Sequence, residues 1–270
     1  MNASKRPLPF VLAATDHGSL IVNRNDYRML DKRRGYGVGF QLLNSGRFDP
    51  QEIAFVLALL RRKRRHAGDG VVALDCGANI GVHTVEWARE MHGWGSVYAF
   101  EAQEKIYYAL AGNVVINNCL NVTARHCAVG SRCGTLEVPQ PDYCRPASFG
   151  SLELVQREKT EFIGQPVDYS VTQPVALLSI DSLALPRIDL IKIDVEGMEE
   201  DVLAGAEDSL QRQRPVLLVE QIKSDAAALK SRLLRHGYRT FNMDINLLAV
   251  HEADPLLANI STGDGSLKLR

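Results

Sequence analysis

Three short stretches carry residue types able to do chemistry on a small molecule. The first is Asp75-Cys76-Gly77-Ala78-Asn79-Ile80-Gly81, a glycine turn that follows the apolar run Val71-Val72-Ala73-Leu74. Gly77 permits a tight turn and close backbone approach. The helix expected to begin near Gly81 offers free N–H groups and the positive end of its dipole. The second is Glu101, 20 residues after Gly81, at the end of the next strand-like run. A carboxylate there can accept hydrogen bonds from two ribose hydroxyls, so the pair describes a site for a nucleoside-containing cofactor. The third is acidic. Asp194 and Glu196 follow Leu190-Ile191-Lys192-Ile193, and Glu220 follows Val216-Leu217-Leu218-Val219; such carboxylates can take a proton or hold a hard cation.

The turn narrows the cofactor. A pyrophosphate needs GxGxxG to let the backbone approach, but position 79 is Asn and the spacing is GxxxG; no GKS or GKT follows. A nicotinamide-dependent oxidoreductase and a phosphate-binding loop are therefore disfavoured. S-adenosylmethionine has no phosphate. It offers a carboxylate, an amine, a sulfonium and a ribose, which suit one tight glycine, the polar Asn79 and the acid Asp75, the last holding the ammonium or ordering water beside it. For the turn alone, an ordinary strand–helix connection remains an equal reading; Glu101 tips it toward a cofactor.

These residues need a scaffold that brings strand ends together. After Gly68 the chain alternates strands and helices: 71–74, a helix from about Gly81 to Met91, 96–100, a helix to about Asn117, a strand over 122–129, then 189–194, a helix ending at Pro215, and 216–219. Continuous apolar strands separated by helices imply a parallel sheet covered on both faces, with ligands beyond the carboxyl ends at the switch point. Ser224 is expected to cap a helix that stops near Gly237. The stretches 239–241 and 247–250 read as a closing hairpin, adding one antiparallel strand at the sheet edge. Before Gly68, residues 1–48 read as short strands and turns. A helix then runs from Pro50 to about Arg65, with Asp49 as its N-cap.

From Asp75 to Thr84, through Val97-Tyr98-Ala99-Phe100-Glu101, the helix residues Asn113 and Asn117, the Ala128-Val129-Gly130 turn, Ser179-Ile180-Asp181-Ser182-Leu183, the block Ile188 to Glu199 with its DVEGMEE run, and Pro215 to Glu220, the sequence resembles the FkbM family of S-adenosylmethionine-dependent methyltransferases. The likeness covers about residues 48 to 250; Cys76 and His83 depart from the residues usual there. It implies a Rossmann-like class I α/β fold with a mostly parallel seven-stranded sheet. A cap of residues 1–66 would precede a methyltransferase domain over 67–270, with a substrate-recognition insertion at 131–175. It implies S-adenosylmethionine bound among Asp75, Gly77, Ala78, Asn79, Gly81, Thr84, Glu101, Ala102 and Ala128, and O-methylation of a sugar, glycan, polyketide or other small metabolite. His83 reads as a helix residue near the cofactor, not a base.

A hydroxyl that receives a methyl group must lose its proton. Asp194 can be the base, with Glu196 orienting substrate. Alternatively Asp194, Glu196 and Glu220 can hold a divalent cation that acidifies the hydroxyl. The structural alternative has Glu196 capping the next helix and Asp194 bonding backbone. In the insertion, Tyr143 and Phe149 could stack on a sugar, and Arg132, Arg145 and Arg157 could meet an acidic or phosphorylated group.

The rest of the chain bounds the function. A net charge of −1 over 270 residues gives no general case for nucleic acid or an acidic membrane. Arg61 to Arg65 reads as a solvated helix end. No apolar stretch approaches the length of a membrane span, and Pro7, Pro9 and Asp16 argue against a secretory leader. Five cysteines without CxxC spacing read as buried thiols in a reducing cytoplasm. The expected partner is a small-molecule or glycan acceptor, with homo-oligomerisation open. An RNA or protein methyltransferase on the same core, and a non-catalytic S-adenosylmethionine-binding module, are the alternatives.

Overall fold

The computed structural model describes residues 7–31, 34–263 and 266–269. The N-terminal segment forms an antiparallel hairpin, β1 (Phe10–Thr15) and β2 (Gly18–Asn23), and a short pair, β3 (Arg28–Met29) and β4 (Gly35–Tyr36). It also contains a helix the sequence reading missed, α1 (Val38–Ser45). Helix α2 (Pro50–Ala67) has Pro50 at its start, as expected. Asp49, however, sits at φ 36° and makes no cap bond; its side chain hydrogen-bonds Gln41 instead.

The body of the fold follows with β5 (Val71–Cys76), α3 (Val82–Glu90), β6 (Gly95–Glu101), α4 (Glu104–Ile116) and β7 (Val122–His126). The strand expected over 122–129 breaks at Cys127, whose N–H bonds the Glu101 carbonyl at 3.1 Å. Its end, β8 (Ala128–Val129), leaves for a second sheet with β9 (Gly134–Pro139) and β10 (Thr172–Leu178). The 131–175 segment thus begins and ends as strand, with an irregular stretch between. After β11 (Leu190–Ile193) the expected single helix is two, α5 (Glu199–Ala204) and α6 (Glu207–Arg212). Gly205 separates them at a point where a Cβ would strike the Gly130 carbonyl. Strand β12 (Val216–Glu220) leads to α7 (Ala226–Arg235), capped by Asp225 rather than by Ser224. The chain closes with β13 (Tyr238–Met243), β14 (Asn246–His251) and a small hairpin, β15 (Ile260–Gly263) and β16 (Ser266–Leu269).

Seven strands form the main sheet in the order β13-β14-β12-β11-β5-β6-β7. β5 pairs in parallel with β6 on one side and β11 on the other, so the order reverses there and a crevice opens at their carboxyl ends. The antiparallel strand is not at the edge, as the hairpin suggested. β14 inserts between β12 and β13, antiparallel to both.

Alternation along the strands builds a core on each face. Val71, Ala73, Val97 and Ala99 pack with α2, α3 and α4 residues such as Val56, Leu60, Trp87 and Leu110. Leu74, Cys76, Ile191, Ile193, Leu217 and Val219 pack with Val202, Leu210, Leu229 and Leu233. All five cysteines are free; Cys76, Cys119 and Cys127 are buried as expected, but Cys133 and Cys144 are exposed. No helix among the described residues is long and apolar enough to cross a membrane.

Candidate active site

A cavity of about 230 Å³ opens at the carboxyl ends of β5, β6, β11 and β12. Gly77, Ala78, Asn79, Glu101, Ala102, Ala128, Asp75, Asp194, Glu196 and Glu220 all line it. Two expected cofactor contacts do not. Gly81 faces Leu110, and Thr84 lies beneath the floor, where its hydroxyl donates to Asp75 Oδ2 at 2.6 Å.

The turn after β5 is shaped by close approach. Gly77 has φ 80°, and a Cβ there would run into the Asp194 carbonyl oxygen. The glycine is thus required by the neighbouring loop as well as by any ligand. Asn79 has φ 51°, a left-handed conformation asparagine tolerates better than most residues, which accounts for its place where a phosphate loop has glycine. Glu101 then fastens the turn to the next strand. Its Oε2 accepts from the Asn79 N–H at 2.9 Å, and its Oε1 accepts from the Gln103 N–H at 2.8 Å. Burial pushes its carboxyl up to about 7, against those two bonds, with Asp194 and Asp75 raising it further. Each oxygen has one such donor and a second lone pair to spare, and the residue lines the cavity. Asp75 is fully buried, and its Oδ1 has no partner.

The acidic residues converge. Carboxylate oxygens of Asp194, Glu196 and Glu220 lie within 4.8 Å of one another. Two are matched by ammonium groups: Lys192 Nζ bonds Asp194 Oδ2 at 2.8 Å, and Lys223 Nζ bonds Glu196 Oε2 at 2.6 Å. Glu220 Oε2 is buried without a partner. Burial, then the Asp194 and Glu196 charges, pushes the Glu220 carboxyl up to about 9, which favours its protonated form. Glu196 is also raised, by burial and then Asp194, against Lys223. Glu196 does not cap a helix: it has φ 54°, and Glu199 takes the local backbone N–H groups of Val195 and Gly197 at 3.1 and 3.0 Å.

Several residues in or just behind the lining escaped the sequence reading. Lys192 is 5% exposed on a central strand. Burial alone would lower its pKa, but Asp194, Asp75 and Glu52 together hold it above its usual value. A lysine inside the apolar run 190–193 was the available signal. Glu52 in the first turn of α2 is held by Asn246 Nδ2 at 2.6 Å and lies 3.3 Å from His83 Nε2. His83 lines the wall as expected, but burial, then Lys192, pushes its pKa well down, so the ring is neutral. Tyr36, Gln41 and Phe48 bring the N-terminal segment into the wall, and nothing in their spacing announced it.

The 131–175 segment does reach the site, through Ser148, Gly150, Ser151, Leu152 and Leu154. Its aromatic residues behave otherwise than expected. Phe149 is fully buried and packs on Tyr143 with ring centroids 4.9 Å apart, and neither ring is among the residues lining the cavity. Arg145 pairs with Asp142, and Arg132 is exposed away from the lining residues. Arg157 bonds the Lys223 and Gly197 carbonyls at the rim.

A family model described as the methyltransferase FkbM domain matches residues 75–240. The chain is 29% identical over 156 residues to methyltransferase sdnD of Sordaria araneosa, covering 50% of this chain but only 60% of that protein. It is 29% identical over 211 residues to the 31-O-demethyl-FK506 methyltransferase FkbM of Streptomyces tacrolimicus, covering 70% of this chain and 77% of that one. Among solved structures, it is similar to methyltransferase FkbM from Methylobacillus flagellatus at 17% identity and a TM-score of 0.46, over 68% of this chain and 43% of that one.

Proposed function

The chain belongs to the FkbM methyltransferase family, and on that premise we propose that it transfers the methyl group of S-adenosylmethionine to a hydroxyl of a small-molecule acceptor. One observation carries this reading: the glycine turn, Glu101 and three carboxylates share one cavity at the sheet's switch point. The donor set fits the cofactor. Glu101 has oxygen lone pairs for the ribose hydroxyls, and the orphaned Asp75 Oδ1 suits the ammonium or a water beside it. Ala78, Asn79 and Ala102 form the adjoining wall, and Ala128 flanks it. S-adenosylmethionine, when bound, supplies an electrophilic methyl group on a sulfonium.

The chain's own residues then align the hydroxyl and receive its proton. Asp194, held by Lys192, is the proton acceptor; Glu220, whose burial favours the protonated form, donates a hydrogen bond; Glu196 is steadied by Lys223. Much of the rate would come from alignment in a cavity closed by the N-terminal segment and the residues around Ser148. The oxygen as acceptor atom is supported by the name of the Streptomyces tacrolimicus relative. A divalent cation at the three carboxylates is the second reading, favoured by their 4.8 Å spacing. The two ammonium groups already neutralise Asp194 and Glu196, so the base reading is preferred. Five free thiols suit a reducing setting such as the cytoplasm.

The test is transfer of labelled methyl from S-adenosylmethionine to a panel of sugar, polyketide and other hydroxyl acceptors, with and without chelator. Label on oxygen, unaffected by chelator, is expected. Label only on RNA or protein would overturn the acceptor class, and loss of activity on chelation would overturn the base.

A further inference from the structure

The rim of the cavity holds a carboxylate in a cradle of donors. Glu161 Oε1 accepts from the Tyr36 hydroxyl at 2.6 Å and from Arg28 Nη1 at 3.1 Å; Glu161 Oε2 meets Lys223 Nζ at 2.9 Å. The donors come from two separate places: the N-terminal β3–β4 pair supplies Arg28 and Tyr36, and the loop after β12 supplies Lys223. Lys223 is fixed by the Ser151 carbonyl at 2.7 Å and by Glu196, and its side chain is 11% exposed. Glu161 is more exposed than Arg28 or Lys223, at 33%, and lies in a stretch without helix or strand. Its backbone N–H is tied separately to Glu153 Oε1 at 2.8 Å, so the side chain can leave while the main chain stays anchored.

Tyr36, Ser151 and Glu196 line the cavity. Lys223 therefore stands between the rim and the acidic cluster, with Glu161 on one side and Glu196 on the other. A carboxylate in the place of Glu161 would sit one lysine away from the residues that receive the hydroxyl proton.

We propose that this cradle reads a carboxylate on the acceptor, so that the substrate is a hydroxy acid, and that Glu161 is a built-in competitor which the substrate displaces. Both oxygens of a planar carboxylate are engaged here by an arginine, a phenol and an ammonium, a donor set matched to that group. Displacement costs little charge: one carboxylate replaces another, and Glu161 turns to solvent. The inference rests on the methyl-transfer reading above for the identity of the reaction, but not for the cradle itself.

The experiment compares wild type, Glu161→Gln, Glu161→Ala and Arg28→Gln/Glu161→Ala. Each is titrated with acetate and with inorganic phosphate at constant ionic strength, followed by melting temperature. Acetate should protect both Glu161 variants at concentrations at least ten-fold lower than it protects wild type. The Arg28 substitution should remove that gain, and phosphate should show none. Equal acetate response in all four proteins, or a larger gain with phosphate, overturns the proposal. In labelled transfer, hydroxy acids should outperform their methyl esters, and Glu161→Gln should lower KM for the acids alone; esters used as well as acids would also overturn it. Titration of the same proteins with S-adenosylmethionine separates the two failures. Loss of cofactor binding in wild type would defeat the methyl-transfer reading, whereas intact cofactor binding with no acetate effect would defeat only the cradle.

Discussion

The cavity has two halves built in different ways. The half around Gly77, Asn79 and Glu101 is made by consecutive strand–turn–helix units, and its contacts are backbone N–H groups donating to one carboxylate. The half around Asp194, Glu220, Tyr36 and Lys223 is assembled from segments far apart in the chain, held by ion pairs and by buried acids. The first half needs a particular backbone conformation, so it leaves a motif. The second joins Asp194 and Glu196 of the DVEGMEE run and the strand-end Glu220 to Tyr36 and Lys223, which leave no motif because they need only meet a charge and can come from anywhere. On the proposed function, that difference separates a half fitted to the cofactor from one free to fit a particular acceptor.

The sharpest way to break the contrast is Asp194→Asn. It removes the proposed proton acceptor while leaving the glycine turn untouched. Turnover should fall by at least about 10²-fold, the usual contribution of a general base, with S-adenosylmethionine affinity unchanged in calorimetry. Retained turnover would show that the two halves do not divide the work in this way.

A second substitution tests how the acceptor half is held over the cofactor half. Asp26 is buried beneath the N-terminal segment, and its two oxygens accept from the Gly39 and Phe149 N–H groups, each at 3.0 Å. Nearby, the Ala147 N–H bonds the Asn25 carbonyl at 3.0 Å. Asp26→Ala would orphan two buried donors, at roughly 1–3 kcal/mol each. Thermal melting should drop, and KM for the acceptor should rise more than the dissociation constant for the cofactor. Equal effects on both would mean that the segment supports the whole cavity alike.

The smallest effect concerns pH. Burial raises Glu101 to about 7, Glu196 to about 8 and Glu220 to about 9. An acid whose folded pKa is raised binds more protons when native than when unfolded. Its stabilisation is therefore present below the unfolded value near 4.5 and is lost as pH climbs through the folded value. Melting temperature should decline between about pH 5 and 9, and Glu220→Gln should flatten the upper part of that decline. A rise over the same range would contradict the burial argument.

Much of this was legible in the residues themselves. The runs 71–74, 190–193 and 216–219 showed the buried parallel strands because a strand covered on both faces is near-continuously apolar, Lys192 being the exception. Glu101 and the glycine turn could be paired because their spacing is that of one strand–helix–strand unit. The breaks were not legible. The strand expected over 122–129 divides because Cys127 bonds back to β6, and the helix after β11 divides because Gly205 packs on Gly130. Both are long-range contacts with no local signature. Asp225 displaced Ser224 as a cap because Ser224 donates to Glu199, a partner brought close only by folding. The cradle of Arg28, Tyr36 and Lys223 around Glu161 was invisible for the same reason.

The central claim is that the glycine turn and Glu101 hold S-adenosylmethionine. Calorimetric titration of wild type and Glu101→Ala with that compound tests it most directly. A single site per chain is predicted for wild type, with binding weakened by roughly 1–3 kcal/mol in the variant through loss of charge-assisted bonds. No heat with wild type, or the same dissociation constant for both proteins, would contradict it.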